Sequence, residues 1–413
     1  MAKTLPLDAS ALDWARAVFA DYYGRARVPP PDRLTRREFA AFPFAAETLM
    51  RRHATLRTPE ELGAFLAREV PRHVYYSSAY YRRPAEPTMA AKEWLGADLI
   101  FDLDSDHLKG AERLDYAGQL ELVKHRLAAL FDDFLVRDFG VDPGATSLVF
   151  SGGRGYHVHV RDERFLPLSS PERRELVDYV LGTGVEPMRA VTSEPAGPAE
   201  PDGAAPEGGP PSRRRRAASR HLVPPDAPGW SGRTTRAVLE VLSRWDGAGA
   251  EVAEREMIED GVPPRAAKKW AKLLVTDGGG RKIRRTLSLD VFPKEVPEEL
   301  LGAVVRRATI EVQGETDAPV TTDIHRLIRL PGSLHGGTGF RVVPLERDAL
   351  EEFDPFRDAL LAAPDEGRTP ITFTEAVRYP FAGGLRGEPG STDELPTPVA
   401  LFLVLRQEAT LRS

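Results

Sequence analysis

Residues 97–107 read ADLIFDLDSDH, and no other stretch constrains the fold as tightly. The apolar run Leu99 to Phe101 has the length and bounds of a buried strand. Aspartates then follow at 102, 104 and 106. A strand sets residues i and i+2 on one face, so Asp102 and Asp104 point the same way and repel each other. Such a strand end is tolerable only if something positive sits between the carboxylates, or one of them holds a proton. The chain must therefore deliver cationic groups to this point from elsewhere.

Two stretches can do so. Residues 147–160, SLVFSGGRGYHVHV, read as strand, glycine turn, strand. The turn offers backbone N–H groups to anionic oxygens, with Arg154 and His157 reaching in as charge. It is not a Walker A loop, because it lacks the Gly-Lys-Ser/Thr ending. Residues 317–339, DAPVTTDIHRLIRLPGSLHGGTG, place Arg329 at a strand end and His335 after a Pro-Gly turn. Cations at both places suit a triphosphate. Two strand carboxylates, with a third brought in from afar, suit divalent ions of the Mg²⁺ type, which complete their shells with water and phosphate.

The 413 residues suffice for a large core and two or three lobes. There is no Cys, which excludes disulfides and thiol catalysis and leaves zinc without a thiolate. The net charge of −6 does not advertise a polyanionic partner, but a local patch, not the sum, sets such a contact. No run of about 18 apolar residues occurs, so no membrane span or membrane partner is expected. The N-terminus lacks a signal-peptide core, and the expectation is an intracellular, cytoplasmic protein.

Apolar spacing predicts helices over 8–24 with Ser10 as cap, 58–70, 111–139, 233–245, 251–259, 264–276 and 297–308. The spans REFAAFPF and HVYYSSAYY read as extended, and 318–345 as β-rich. Residues 187–229 are crowded with Pro, Gly, Ala and Glu and include Arg213 to Arg216. Such a composition predicts a disordered insert. The expected fold class is α/β (α+β): a core over 1–170 and 310–390, a mostly helical insertion over 171–309, and an amphipathic C-terminal helix within 391–413. The basic run Arg281, Lys282, Arg284 and Arg285 reads as a solvated face.

The stretches IFDLDSDH, SGGRGYHVHV and HRLIRLPGSLHGGTG together resemble the small, catalytic subunit of archaeal and eukaryotic DNA primases, most closely the archaeal branch. REFAAFPF and VYYSSAYYRRP extend the resemblance over most of residues 1–350 outside the insert. It implies a mixed-sheet core with an RRM-like, metal-bearing sheet and a helical subdomain. It implies Asp102, Asp104 and Asp317 as catalytic metal ligands for two Mg²⁺ or Mn²⁺ ions. Asp317 is preferred to Asp323 because the family places this carboxylate eighteen residues before the motif histidine, here His335. Nucleotide-binding positions fall on Ser151, Arg154, His157, Arg329 and His335, with Arg37 of REF facing the nucleotide.

The implied activity is template-directed synthesis of short RNA primers on single-stranded DNA during DNA replication. Ribonucleoside triphosphates are the substrates, and deoxyribonucleoside triphosphates would extend the product. The implied partner is a large primase subunit, in a nucleoid-associated heterodimer. One departure stands out: many archaeal members carry a Cys/His zinc knuckle after the first motif, and residues 108–120 contain no Cys, so zinc is not expected. A repair-type primase-polymerase would share the chemistry. A haloacid-dehalogenase-like phosphatase is disfavoured because Ser105-Asp106-His107 stands where that family has Thr or Val. A non-catalytic RRM-like nucleic-acid-binding module would rely on the aromatics from Tyr75 to Tyr81. Asp106 and His107 read as the start of a turn, and His159 and Asp323 as structural residues.

Overall fold

The computed structural model describes residues 8–44, 49–108, 110–194, 219–291, 302, 305, 315–361 and 367–412. The chain forms two compact units, Met1–Val180 with Glu315–Ser413, and Leu181–Gly314. The insertion thus begins about ten residues later than its composition suggests, because α5 (Ser170–Leu181) is held to the first unit. Arg173 on that helix is buried and donates to the carbonyls of Ala97 and Asp98 at 2.8 and 2.9 Å.

The first unit contains two four-stranded sheets. One has the order β12 (Val343–Leu345), β7 (Thr146–Phe150), β8 (Gly155–Val160), β6 (Leu99–Asp104). The other runs β11 (Leu327–Arg329), β3 (His73–Ser77), β1 (Phe39–Phe42), β2 (Arg51–Ala54). Every strand pairing among the described residues is antiparallel, so the expected mixed sheet is not what forms. Strand β8 is central and buried along its whole length. Its Tyr156, Val158 and Val160 share one face and His157 and His159 the other, as alternation requires. Helix α4 (Tyr116–Ala129) starts at the Asp115 cap and packs on β6 and β8. It continues as wider π-helical turns over 130–138, so the single long helix read over 111–139 is three pieces, counting the short turn at 111–113.

Helices α1 (Ala9–Arg25) and α2 (Pro59–Glu69) cover the second sheet. Phe19, Leu62, Leu66, Val74, Tyr76, Ile328 and Leu401 meet in one core there. Full burial of each such side chain is worth about 1.5–3 kcal/mol. Asp8, not Ser10, caps α1, while Thr58 caps α2 with Pro59 in the first turn. Smaller elements are α3 (Met89–Lys92), β4 (Ala79–Tyr81) paired with β5 (Trp94–Ala97), α10 (Ala318–Thr322), α11 (Pro355–Asp358), and β14 (Val377–Tyr379) paired with β15 (Leu385–Gly387). Residues 318–345 are therefore not uniformly β, since α10 opens them.

The C-terminal stretch also departs from its expected form. It is β16 (Thr392–Pro396), α12 (Thr397–Leu405) and β17 (Ala409–Leu411), the strands flanking β13 (Arg368–Phe373) in one sheet. Val399 to Leu405 are all buried, so α12 is a core helix and not an amphipathic one.

The second unit holds α6 (Gly229–Ala248), α7 (Ala250–Glu259), α8 (Pro264–Ala271), α9 (Gly279–Thr286) and the hairpin β9 (Val191–Glu194) with β10 (Ser219–Leu222). Trp245, Trp270, Leu242 and Leu274 centre its core, and Leu222 of the hairpin belongs to it. Residues 187–194 and 219–229 are consequently ordered, contrary to the disorder expected of the whole 187–229 stretch. Arg213 to Arg216 lie outside the described residues, as does the helix expected over 297–308 except for helical 302 and 305. Among the described residues, no helix is long and apolar enough to cross a membrane.

Candidate active site

The register of β6 against β8 builds the site. Asp102 lies opposite His157, and Asp104 opposite Gly155. The strands approach closely here: a Cβ on Gly155 would stand 2.2 Å from the Leu103 carbonyl oxygen, which only glycine allows. Ser151 to Arg154 form the turn joining β7 to β8, with Gly152 in the left-handed region at φ +75°. The Tyr116 hydroxyl on α4 donates to the Gly153 carbonyl at 2.6 Å and holds the turn down.

The acidic wall behaves as the sequence demands. Burial, then the charges of Asp104 and Asp317, push the Asp102 carboxyl up to about 7. His157 Nε2 lies 3.3 Å from Asp102 Oδ1. Burial, with Arg329 and Arg326 nearby, pushes the His157 imidazole down to about 3. His157 is therefore neutral beside Asp102, not the cation expected from sequence. Its Nδ1 is buried and has no hydrogen-bond partner in the protein. Asp104 Oδ1 accepts from the Asp106 N–H at 3.1 Å and lies 3.8 Å from Arg154 Nε. Arg154 Nη2 reaches Asp106 Oδ2 at 2.5 Å, so Asp106 does more than begin a turn.

Asp317 is brought to the same strand end through its backbone. Its N–H donates to the Asp102 carbonyl at 2.8 Å, and the Thr316 hydroxyl donates to the same oxygen at 3.2 Å. Among the described residues, no three His, Asp or Glu side chains close on a common point. The donor chemistry nevertheless suits a hard cation: two carboxylates on one face, mutually repelling, beside open space for water and phosphate oxygens.

The facing wall is cationic. Arg329 at the end of β11 bonds His73 Nδ1 at 2.6 Å and lies 5.2 Å from the centre of the Tyr75 ring. The His335 ring stands 5.2 Å from that of His73. His335 Nδ1 accepts from the Gly337 N–H at 3.2 Å, which leaves Nε2 to carry the proton. Burial and the surrounding arginines hold His335 well below the usual histidine range, so it too is neutral. A Cβ on Gly153 would lie 2.9 Å from His335 Nε2, so turn and histidine need that glycine to pack.

These walls enclose a cleft of about 470 Å³ lined by Asp102, Asp104, Ser151, Arg154, His157, Arg329 and His335. That size falls within the usual range for small-molecule sites. Arg37 is placed elsewhere, contrary to expectation. Its buried guanidinium donates to the carbonyls of Asp32, Ser77 and Ser78, to the Tyr80 hydroxyl, and to Asp98 Oδ2 at 2.8 Å. With its five donors so engaged, it has none left for a nucleotide. His159 is buried against the Tyr76 hydroxyl, and Asp323 accepts from the His325 N–H; neither lines the cleft. Sequence reasoning missed Thr338 and Arg406, which also line the cleft. Arg406 follows α12, with its guanidinium 4.4 Å from the Tyr116 ring centre and its Nε 2.7 Å from Glu408 Oε1. The only signal was an arginine closing an otherwise apolar helix.

Acidic strand ends facing arginines across a nucleotide-sized cleft define an enzyme of the nucleotidyltransferase class. The DNA primase small subunit family matches residues 101–347, and the chain belongs to it. Similar proteins span nearly the whole length. The DNA primase small subunit PriS of Methanocella arvoryzae is 39% identical over 409 residues, covering 95% of this chain and 97% of the relative. That of Methanothrix thermoacetophila is 38% identical, covering 97% and 98%, and that of Natronomonas pharaonis 39%, covering 96% and 98%.

Proposed function

We propose that this chain is the catalytic subunit of a DNA primase, which joins nucleotides on a single-stranded DNA template in the cleft between β6, β8 and β11. The observation that carries the reading is the cleft in which Asp102 and Asp104 face Arg154, Arg329 and Arg406. The reacting groups are a 3′-hydroxyl and the α-phosphorus of a ribonucleoside or deoxyribonucleoside triphosphate. Asp102 and Asp104, with Asp317 as third carboxylate, hold divalent ions, Mg²⁺ or Mn²⁺. When bound, such ions lower the hydroxyl's pKa and neutralise phosphate charge.

The chain's own residues do the rest. Arg154, Arg329 and Arg406 carry fixed positive charge to the β- and γ-phosphates. His157 holds the Asp102 carboxylate in place, and His335, neutral, donates from Nε2. Ser151 and the glycine turn offer hydroxyl and N–H groups. Positioning and preorganised charge supply most of the rate in such a site. The β6–β8 sheet with α4 on one face is the RRM-like, metal-bearing element of this reading. In this reading a large subunit completes the heterodimer, and a primer-making role on DNA would keep the protein in the cytoplasm, with the nucleoid.

The test is primer synthesis on an unprimed oligonucleotide with labelled nucleotides and Mg²⁺ or Mn²⁺, with and without the large subunit. Asp104→Ala should cut incorporation on the order of a thousandfold or more while the far-UV spectrum stays native. Retained polymerisation would reject the acidic assignment. Brisk template-free turnover of a generic phosphate ester would point to a phosphatase instead.

A further inference from the structure

The second unit carries a charge pattern that the cleft chemistry does not use. Arg265, Lys268, Lys269 and Lys272 follow one another at i, i+3, i+4 and i+7 along α8 and into the helical turn that continues it, and all are exposed. That spacing puts them on one helix face. Ala267, Trp270, Ala271 and Leu274 occupy the opposite face and are buried. After the Asp277-Gly278 turn, α9 presents Lys282 and Arg285, also exposed. The turn is tight: a Cβ on Gly279 or Gly280 would come within 2.8 or 2.9 Å of the Leu273 or Leu274 carbonyl oxygen.

Counter-charges are missing where they would be expected. Residues 264–286 contain eight Lys and Arg and a single acid, Asp277. Arg281 and Arg284 are neutralised by the two oxygens of Asp246, at 2.5 and 2.8 Å, which pins α9 to α6. The other six cations make no ion pair among the described residues. The acids of this unit lie elsewhere, four of them on α7 at Glu251, Glu254, Glu256 and Glu259, and two more on α6 at Glu240 and Asp246. An ordinary surface intersperses the two signs. Here they are sorted, in a chain whose net charge is −6.

We infer that the exposed face of α8 and α9 binds the phosphate backbone of a nucleic-acid strand. The inference rests on the proposed function, which supplies such a strand as template or product. Lysines on flexible stems meet phosphates as point charges without demanding a base sequence. From 265 to 272 the helix rises about 10 Å, room for about three phosphates at their axial spacing along one strand. Trp270 is buried, so the face has no aromatic platform there for base stacking. Binding is therefore electrostatic, indifferent to sequence and steeply salt-dependent.

The test compares the full chain with Arg265→Gln/Lys268→Gln/Lys269→Gln/Lys272→Gln, and with Lys282→Glu/Arg285→Glu. Fluorescence anisotropy on a labelled oligodeoxythymidylate is followed from about 50 to 200 mM salt, with an RNA–DNA duplex as a second probe. For the first variant the plot of log K against log salt should become shallower by about 2, given about three phosphates at ~0.7 per single-strand contact. Template affinity at low salt should drop about tenfold or more in both variants, while melting temperature and nucleotide KM hold. Loss on the single strand alone identifies the template as the ligand, and loss on the duplex alone the product. Unchanged affinity and slope in both variants would overturn the inference. So would loss of large-subunit co-purification with the salt slope intact, which would make this face a protein contact. A wild-type chain that shows the slope yet makes no primer would sink the proposed function and leave this face standing.

Discussion

Asp102 shows how one residue's surroundings set its chemistry. Burial and two neighbouring carboxylates raise its carboxyl to about 7, against about 3.9 for a free aspartate. The folded chain therefore binds this proton more tightly than the unfolded chain does. Stability from this group is fully present below about pH 4 and is lost as pH rises through about 7. The loss is at most about 4 kcal/mol, since each pH unit between those two values is worth ~1.4 kcal/mol. The melting temperature of chelator-treated protein should fall between pH 4 and 8, and Asp102→Asn should flatten that fall. Mg²⁺ should restore stability more at pH 8 than at pH 5, because metal and proton compete for the same oxygens. Wild-type and variant profiles of identical shape would remove Asp102 from the account. The conflict itself was legible in the sequence, since alternation alone puts 102 and 104 on one face. Which cations answer it was only partly so. Arg154 and Arg329 sit in recognisable turns and strand ends. Arg37 also sits in a recognisable motif, but its partner Asp98 lies 61 residues along the chain, and only folding shows that the pair is buried.

Among the elements, the β6–β8 ladder decides the site, and Gly155 decides the ladder. An added methyl would meet the Leu103 carbonyl, a backbone atom with no room to yield. Overpacking of this kind costs about 1–3 kcal/mol or more. Gly155→Ala should lower the melting temperature and also cut nucleotide incorporation, since Asp104 lies directly opposite. Gly63→Ala is the contrast. Its Cβ meets nothing within 4 Å on α2, and the change should stabilise by up to about 1 kcal/mol without touching activity. Equal effects of the two changes in melting and incorporation assays would mean the close approach of β6 and β8 is unimportant. The strands themselves were readable from apolar runs between turn signals. Apart from β7 and β8, which a short turn joins, their antiparallel pairing was not, because direction depends on which turns and crossovers the whole chain adopts. Helix α12 was misjudged for a related reason. A run with no polar stripe has no period to read, and only burial on every side shows it to be core.

For the whole molecule, the question is what the Pro/Gly-rich stretch contributes. Composition alone made 187–229 one featureless insert, yet its two flanks pair as β9 and β10 and deliver Leu222 to the core of the second unit. Composition averages over a window, and a four-residue strand at each edge is too short to shift that average. Glu194 and Ser219 already face each other across the hairpin. A two-residue Asn-Gly turn can therefore join them in place of 195–218. That shortened chain should melt within about 1 °C of the full chain and incorporate nucleotide within about twofold, because both strands and the cleft are untouched. Cutting back to remove 190–225 is a different operation. It takes away the hairpin, the Leu222 side chain and the Leu289 N–H to Arg220 carbonyl bond at 2.8 Å. Losing a buried leucine alone costs about 2–5 kcal/mol. Calorimetry of the larger deletion should show the transition of the second unit shifted down or lost, with the first unit's transition in place. Since the proposed backbone-binding face lies on α8 and α9 of that same unit, single-strand affinity should fall with it, while nucleotide KM should not. Loss of primer synthesis on removing 195–218 alone would instead make that stretch a working part of the enzyme.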